Sequence, residues 1–212
     1  MTKLTVNQTK AGDSAPKLAL NLKKGEVFTI RLRWDNKIDV DLHALHTINA
    51  GAGAKASSLD DVLSTYNVQR VLDGGEQAGY LPLNADKTFS IYNGALTHSP
   101  DARDGLKADD DEYIVVKPAL LTKPANGNIE IPLVAMIHPQ TVGKTFKDVQ
   151  NARVIIENST GQVLLDADLS GQFGSFIGVQ MGTIAITDTG AEFIAVGVGF
   201  NGDFNDVLGH FS

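Results

Sequence analysis

The 212-residue sequence contains no cysteine, so a disulfide framework, a thiolate nucleophile and thiolate metal ligands are all excluded. It also lacks any apolar run near the roughly 18 residues of a membrane-spanning helix, and its polar start lacks the core of a signal peptide. Basic residues are too few for a nucleic-acid binder, because 18 Lys and Arg face 25 Asp and Glu, a net charge of −7. We therefore predict a cytoplasmic protein with no transmembrane segment and no nucleic-acid partner.

Hydrophobic residues, at 42% of the chain, suffice for a core, and we predict one domain over residues 1–212. Apolar Phe28, Ile30, Leu32 and Trp34 alternate with polar residues, a pattern that predicts a half-buried strand. Further β-rich runs, separated by turn-forming residues, are Val40–His46, Lys87–Tyr92, Tyr113–Lys117, Ile129–Ile137, Arg153–Glu157, Gln162–Asp168, Val179–Ile186 and Glu192–Phe200. This spacing predicts a mostly β protein, an antiparallel β-sandwich.

One helix is predicted over about residues 57–72. Serine precedes acidic residues there, as at a capped helix start, and Leu59, Val62, Leu63 and Tyr66 fall near helical spacing. A shorter helical turn is predicted at Thr145–Asn151. We interpret about the first 17 residues (1–17) as an N-terminal arm.

Motifs for nucleotide chemistry, metal binding and catalysis are weak. Gly51-Ala-Gly53 resembles the start of a dinucleotide fingerprint, but the hairpins downstream are not the βαβ units that this fold requires. The run that begins at Asp166 opens like an EF-hand loop yet has Ile177 where the closing carboxylate belongs. No Gly-x-Ser-x-Gly, His-Glu-x-x-His or Gly-Lys-Ser/Thr motif is present, so we predict that the protein is not an enzyme.

The most informative segment runs from Asp101 to Glu112, with six acids and two bases in twelve residues. A solvated loop is the usual interpretation of such a run. Strand-like segments flank this one, however, and they would confine its mutually repelling carboxylates. Hard oxygen ligands on a loop suit Ca²⁺, which takes 6–8 oxygens, better than zinc or copper.

Short segments along the chain form a series. They are Leu32-Arg-Trp34-Asp35, Ile38-Asp39-Val-Asp41-Leu42, Tyr92-Asn93, the acidic run, Ile137-His138, Phe146-x-x-Val149-x-Asn151-Ala152, Ile155-Ile-Glu-Asn158, Thr160-Gly161, Asp168-Leu-Ser170 and Ala195-Val-Gly-x-Gly199-Phe200. In this order they resemble the TerD-like family of tellurium-resistance and stress-response proteins. The resemblance implies a β-sandwich whose acidic loops bind calcium, without enzymatic chemistry.

The resemblance also implies a set of calcium ligands. Matched by position, they are Asp39, Asp41, Asn93, Asp101, Asp110, Asp111 and Glu112. Alternation along an extended segment places Asp39 and Asp41 on one face, where both can reach one ion. His43 stands where the family usually has a further Asp, which implies that one of two expected ions is weak or absent.

The stretch of about residues 47–79 has no recognised counterpart in the family pattern. We interpret it as an insertion through which the protein contacts protein partners or assembles with itself. The predicted function is a calcium-binding stress-response protein or a calcium-dependent interaction scaffold. The alternative is a structural subunit of a phage virion, or of another large assembly, that is built on a TerD-like domain and assembled in the host cytoplasm.

Overall fold

A computed structural model describes residues 17–20, 22–106, 112–171 and 173–212. In chain order its strands are β1 Lys17–Ala19, β2 Phe28–Arg33, β3 Val40–Leu45, β4 Thr47–Asn49, β5 Ala54–Lys55, β6 Val62–Leu63, β7 Arg70–Val71, β8 Gln77–Ala78, β9 Phe89–Ile91, β10 Leu96–His98, β11 Glu112–Val116, β12 Asn128–Ile137, β13 Arg153–Asn158, β14 Val163–Asp168, β15 Gly178–Ile186, β16 Ala191–Ile194 and β17 Val198–Phe200. One α-helix, α1, spans Phe204–His210 in the described chain, and 3-10 turns span Leu59–Asp61, Thr65–Asn67, Tyr92–Gly94, Pro118–Leu120 and Phe146–Asp148.

The strands form two large antiparallel sheets. The larger sheet has the order β1-β16-β15-β12-β3-β6, with β17 paired to β15 and the β4–β5 pair joined to β12. The smaller sheet has the order β14-β13-β2-β11-β10-β9. The predicted fold class, a mostly β antiparallel sandwich, is confirmed.

The main core lies between the two sheets. Phe28, Ile30 and Leu32 of β2 are fully buried there, and Leu42 and Ala44 of β3 belong to the same hydrophobic cluster. Alternate residues of each strand thus point inward, as the sequence pattern predicts. The outer face of the larger sheet is covered in part by α1, whose apolar residues form a second cluster with Leu45, Val62, Val134 and Met136.

Each predicted β-rich run contains a strand, and one run contains two. The Glu192–Phe200 run is split into β16 and β17 at residues 195–197. Both pieces pair with β15, one on each side of a shift in the register between β12 and β15. At this shift Leu133 pairs with Gly182, whereas the next residue, Val134, pairs with Gln180. The irregularity leaves Met181 out of the regular pairing with β12, and on the other side of β15 the pairing is interrupted at the same level, between Ile194 of β16 and Val198 of β17.

The helix predicted over about 57–72 is wrong. The cap signal is real, because Ser58 and Asp61 form a capping box, but the turn that they begin ends after Asp61. Val62 and Leu63 then pair as β6 with Leu45 and Ala44 of β3. Burial of two apolar side chains at a sheet edge outweighs helical spacing here, because local propensity is weak against tertiary packing. The turn predicted at Thr145–Asn151 is found, as the 3-10 turn at Phe146–Asp148.

The segment 47–79, predicted as an insertion, contributes strands to the sandwich. It supplies β4 and β6 to the larger sheet, and the Leu63 side chain is completely buried in the main core. Its other part, the β7–β8 hairpin, forms a separate two-stranded sheet. Of the predicted arm, residues 1–16 lie outside the described residues, and Lys17 begins β1, which pairs with β16.

The described part of the chain contains no helix that is long and apolar enough to cross a lipid bilayer.

Candidate metal centre

The acidic residues meet where the two sheets face each other. Asp41 lies in β3 of the larger sheet, and Glu112 begins β11 of the smaller one. The Leu42 backbone N–H donates a 2.6 Å hydrogen bond to Oε2 of Glu112. This bond ties the two sheets together at the end of the sandwich, so residues that are distant in sequence share one place.

Asp41, Asp101 and Glu112 form a three-carboxylate cluster. One oxygen from each side chain lies within 4.8 Å of those of the other two. Asp41 and Glu112 are completely buried, whereas Asp101 is exposed. The cluster therefore has a buried base and an open side from which an ion can enter.

Two hydroxyl groups orient the Asp41 carboxylate. Thr65 Oγ1 donates to Oδ1 at 3.0 Å, and the Tyr66 hydroxyl donates to Oδ2 at 2.6 Å. Burial, together with the smaller effect of the nearby charges of Asp39 and Asp101, raises the pKa of Asp41 to about 7 against the lowering effect of the two hydroxyl donors. Burial and the adjacent Asp41 carboxylate raise the pKa of Tyr66 far above its ordinary value, so the hydroxyl stays a donor.

Glu112 is held by backbone groups. Besides Leu42, the Ala102 N–H faces Oε1 at 3.4 Å, and His98 Nε2 lies 3.7 Å from Oε2. Burial raises the pKa of Glu112 well above its ordinary value, and the charges of Asp41 and Asp101 add to the rise. Burial lowers the pKa of His98, which stacks on Phe89, so the imidazole does not supply a full compensating charge.

Asp39 supplies a buried oxygen that has no hydrogen bond to any described residue, its Oδ1. Its Oδ2 lies 4.0 Å from Nδ1 of His138. Burial raises the pKa of Asp39. Asp39, Asp41 and Asp101 line one cleft of about 490 Å³, so Asp39 and Asp41 do share a face, as alternation predicts.

The donor set matches a hard cation. Carboxylate oxygens come from Asp39, Asp41, Asp101 and Glu112, and Ca²⁺ binds such oxygens at about 2.3–2.6 Å with a flexible coordination number. The unpartnered Oδ1 of Asp39 and the raised pKa values are both features that a divalent cation would relieve. The residues present therefore fit calcium.

The structure does not bring every predicted ligand to this place. Asn93 lies in the turn before β10, near the pairing of Leu96 with Val116, whereas Glu112 is at the opposite end of β11. Asp110 and Asp111 lie outside the described residues. His43 packs between the rings of Tyr66 and Phe204, beneath α1, and within the described part of the chain neither of its ring nitrogens has a hydrogen-bond partner.

Sequence reasoning missed the residues that orient the carboxylates. Thr65 and Tyr66 lie in the segment for which the sequence predicts a helix, and helical spacing places Tyr66 on the apolar face of that helix. His98 and His138 carry no metal-ligand spacing that would single them out. A tyrosine beside a threonine is no signal by itself, so only the path of the chain from β6 back to β3 reveals these contacts.

Comparisons with known proteins agree with this architecture. Two crystal structures share the fold. One, of a protein of unknown function, has a TM-score of 0.64 and 16% identity, and the match covers 87% of this chain and 96% of the other. The second, of a homologue of telluride resistance protein (TerD) from Streptomyces coelicolor A3(2), has a TM-score of 0.61 and 17% identity, and the match covers 89% of this chain and 96% of the other. A search of curated proteins gave no significant match. The TerD domain profile matches residues 86–211, and the chain belongs to the TerD domain family.

Proposed function

We propose that this TerD-family protein binds calcium and acts without enzymatic chemistry, as a calcium-dependent interaction protein in a stress response of the tellurium-resistance type. Asp39, Asp41, Asp101 and Glu112 bind the ion, and Asp110 and Asp111 complete the ligand set. Family membership and the fold shared with the Streptomyces coelicolor homologue, which is named for telluride resistance, support the assignment to this type of response.

One observation carries the calcium proposal: carboxylate oxygens of Asp41, Asp101 and Glu112 lie within 4.8 Å of one another. At that separation two unit charges repel by about 3 kcal/mol at an effective dielectric constant of roughly 20. The sandwich keeps these groups together although two of them are buried. A bound dication removes the repulsion, and this explains why three acids occupy one place.

The same geometry argues against catalysis by the cleft. The hydroxyl groups of Thr65 and Tyr66, which would be its candidate nucleophiles, both donate to Asp41. The raised pKa of Tyr66 disfavours a phenolate at neutral pH. In this proposal Asp41 is a ligand of the ion, so its carboxylate does not serve as a base that takes a proton from either hydroxyl.

Thermal unfolding tests the proposal. Calcium at roughly 100 times its Kd stabilises the folded protein by about 2.7 kcal/mol. For a chain of this size, that corresponds to a rise in Tm of roughly 5–11 °C. Magnesium should raise Tm far less, because it gives up its waters reluctantly and demands a compact octahedral site. An equal shift with NaCl at matched ionic strength would overturn the proposal.

The oligomeric state separates the proposed role from the virion alternative. A monomer that takes up calcium reversibly supports the interaction protein. A closed or polymeric assembly, measured by size-exclusion chromatography with mass determination, would favour a structural subunit instead.

A further inference from the structure

Tyr66 lies between the metal centre and α1. Its hydroxyl donates to Asp41 at 2.6 Å, and its ring meets the Phe204 ring of α1 edge-on, with the two centroids 5.4 Å apart. Among the described residues, Tyr66 alone lines both the cleft of about 490 Å³ that contains Asp41 and a groove of about 220 Å³ beside α1. A change at the Asp41 carboxylate therefore has a direct route to the helix.

α1 depends on packing rather than on its own stability. It has seven residues, whereas isolated helices shorter than about 12–15 residues are marginal in water. Phe204, Val207 and Phe211 pack on the outer face of the larger sheet, and the Ala56 backbone N–H donates to the Phe211 carbonyl at 2.7 Å. Two clefts, of about 500 and 220 Å³, are lined by different sets of α1 residues, so the helix is incompletely packed.

A buried imidazole opposes this packing. His43 is completely buried beneath α1, with its ring centroid 4.5 Å from that of Phe204. Neither of its ring nitrogens has a hydrogen-bond partner among the described residues. A buried polar group without a partner costs free energy that contact with water would return. If α1 lifts, the protein loses apolar burial but hydrates His43, so α1 is poised between an attached and a lifted position.

We propose that calcium bound at the carboxylate cluster holds α1 in its attached position through Tyr66. The inference rests on the proposed function and names the element whose surface calcium controls. An ion at the cluster removes the repulsion that Asp101 and Glu112 exert on Asp41, so this carboxylate and the tyrosine bonded to it stay in place. The Tyr66 ring then supports Phe204, and the lifted position becomes rarer.

Lifting of α1 uncovers part of the outer face of the larger sheet. The apolar residues that α1 covers there are Leu45, Val62, Val134 and Met136. Calcium therefore withdraws an apolar surface that the calcium-free protein exposes more often. Because the coupling between two sites is reciprocal, an attached α1 also strengthens calcium binding by the same factor.

Thiol labelling of the full chain, which has no cysteine of its own, tests the inference. Val207→Cys places a thiol on the buried side of α1, where iodoacetamide reaches it only after the helix lifts. Ala167→Cys, at a buried position of β14 in the smaller sheet, measures opening away from α1. Both are labelled at pH 8 in EGTA and in saturating calcium. Calcium should slow labelling at residue 207 about fivefold or more, as expected for typical coupling between sites.

Two variants interrupt the route at different contacts. Tyr66→Phe removes the bond to Asp41 and keeps the ring, whereas Phe204→Leu removes the ring contact and leaves the metal centre intact. Each is labelled at the calcium concentration that saturates its own titration. Calcium should then slow labelling at residue 207 by less than about twofold, the remainder of the coupling being lost. Any slowing at residue 167, which measures general stabilisation, should persist.

A matched control and a third variant complete the set. Tyr80 lines the same groove beside α1 without a hydrogen bond to Asp41, so Tyr80→Phe should keep the full calcium effect at residue 207. His43→Leu removes the imidazole, so the lifted position no longer gains its hydration. Labelling at residue 207 in EGTA should slow about fivefold or more, because an unpartnered buried polar group costs at least that factor. Unchanged labelling would show that α1 is not poised.

Failure of the inference and failure of the proposed function give different results. A calcium-induced rise in Tm with unchanged or faster labelling at residue 207 would overturn the inference alone. Equal slowing at residue 207 in the parent, Tyr66→Phe and Phe204→Leu would also overturn it, because calcium would then act through general stabilisation. If calcium neither raises Tm nor slows labelling at residue 207 or 167, the proposed function is overturned.

Discussion

The Tyr66 hydroxyl donates a 2.6 Å hydrogen bond to Oδ2 of Asp41, across 25 residues of sequence. This contact joins the 3-10 turn after β6 to the buried carboxylate of the metal centre. The segment between β3 and β9 thus contributes to the site as well as to the sheet. If the site binds calcium as proposed, loss of this segment should weaken that binding even where the rest of the sandwich stays folded.

Tyr66→Phe should destabilise the calcium-free protein by about 1.5–3 kcal/mol at mildly alkaline pH, because a buried carboxylate then loses a hydrogen-bond donor. Urea unfolding in EGTA measures the difference. Tyr80→Phe is the control, since Tyr80 is 57% exposed and its change should lie within about 0.5 kcal/mol. Equal values for the two variants would show that the bond to Asp41 contributes nothing.

The calcium-free protein should lose stability as pH rises. The pKa of Asp41 is raised from 3.8 to about 7 in the folded state, so between these values the folded protein binds more protons than the unfolded chain. Stability conferred by this proton is present below the lower value and lost as pH passes the higher one, with a slope on the order of 1 kcal/mol per pH unit. The raised pKa values of Asp39 and Glu112 act in the same direction.

Urea unfolding in EGTA across this pH range measures the slope. Asp41→Asn should flatten it, whereas Asp168→Asn, an exposed acid at the end of β14, should not. A calcium-free protein whose stability rises steadily from pH 4 to 7 would contradict the proposed crowding of carboxylates.

Leu63→Ala should destabilise the protein by about 2–5 kcal/mol, because the side chain is fully buried and its removal leaves a cavity. Leu120→Ala, at a 52% exposed position, is the control and should cost little. Replacement of residues 50–78 by a short Gly/Ser linker should therefore unfold the domain or severely weaken it. A stably folded deletion variant would show that the sandwich does not need this segment.

How much the sequence could predict differs between the fold and the site. Alternation in β2 and regular turn residues sufficed for the sandwich, because each strand buries one face. Helical spacing at Leu59, Val62 and Leu63 failed, because pairing with β3 decides the structure there. The family pattern identified Asp41, Asp101 and Glu112, which the fold brings together. The orienting contacts of Thr65 and Tyr66 depend on how the chain returns to β3, and no local pattern encodes that path.

Isothermal titration of calcium into the chelator-treated full chain tests the central claim most directly, with Asp41→Asn and Asp168→Asn titrated alongside. The parent protein and Asp168→Asn should show the same saturable binding, and Asp41→Asn should lose most of it, while its calcium-free Tm rises slightly because one buried charge is gone. If the parent protein gives no saturable heat, or if Asp41→Asn binds as tightly as the parent, calcium does not bind at this cluster and the account is contradicted.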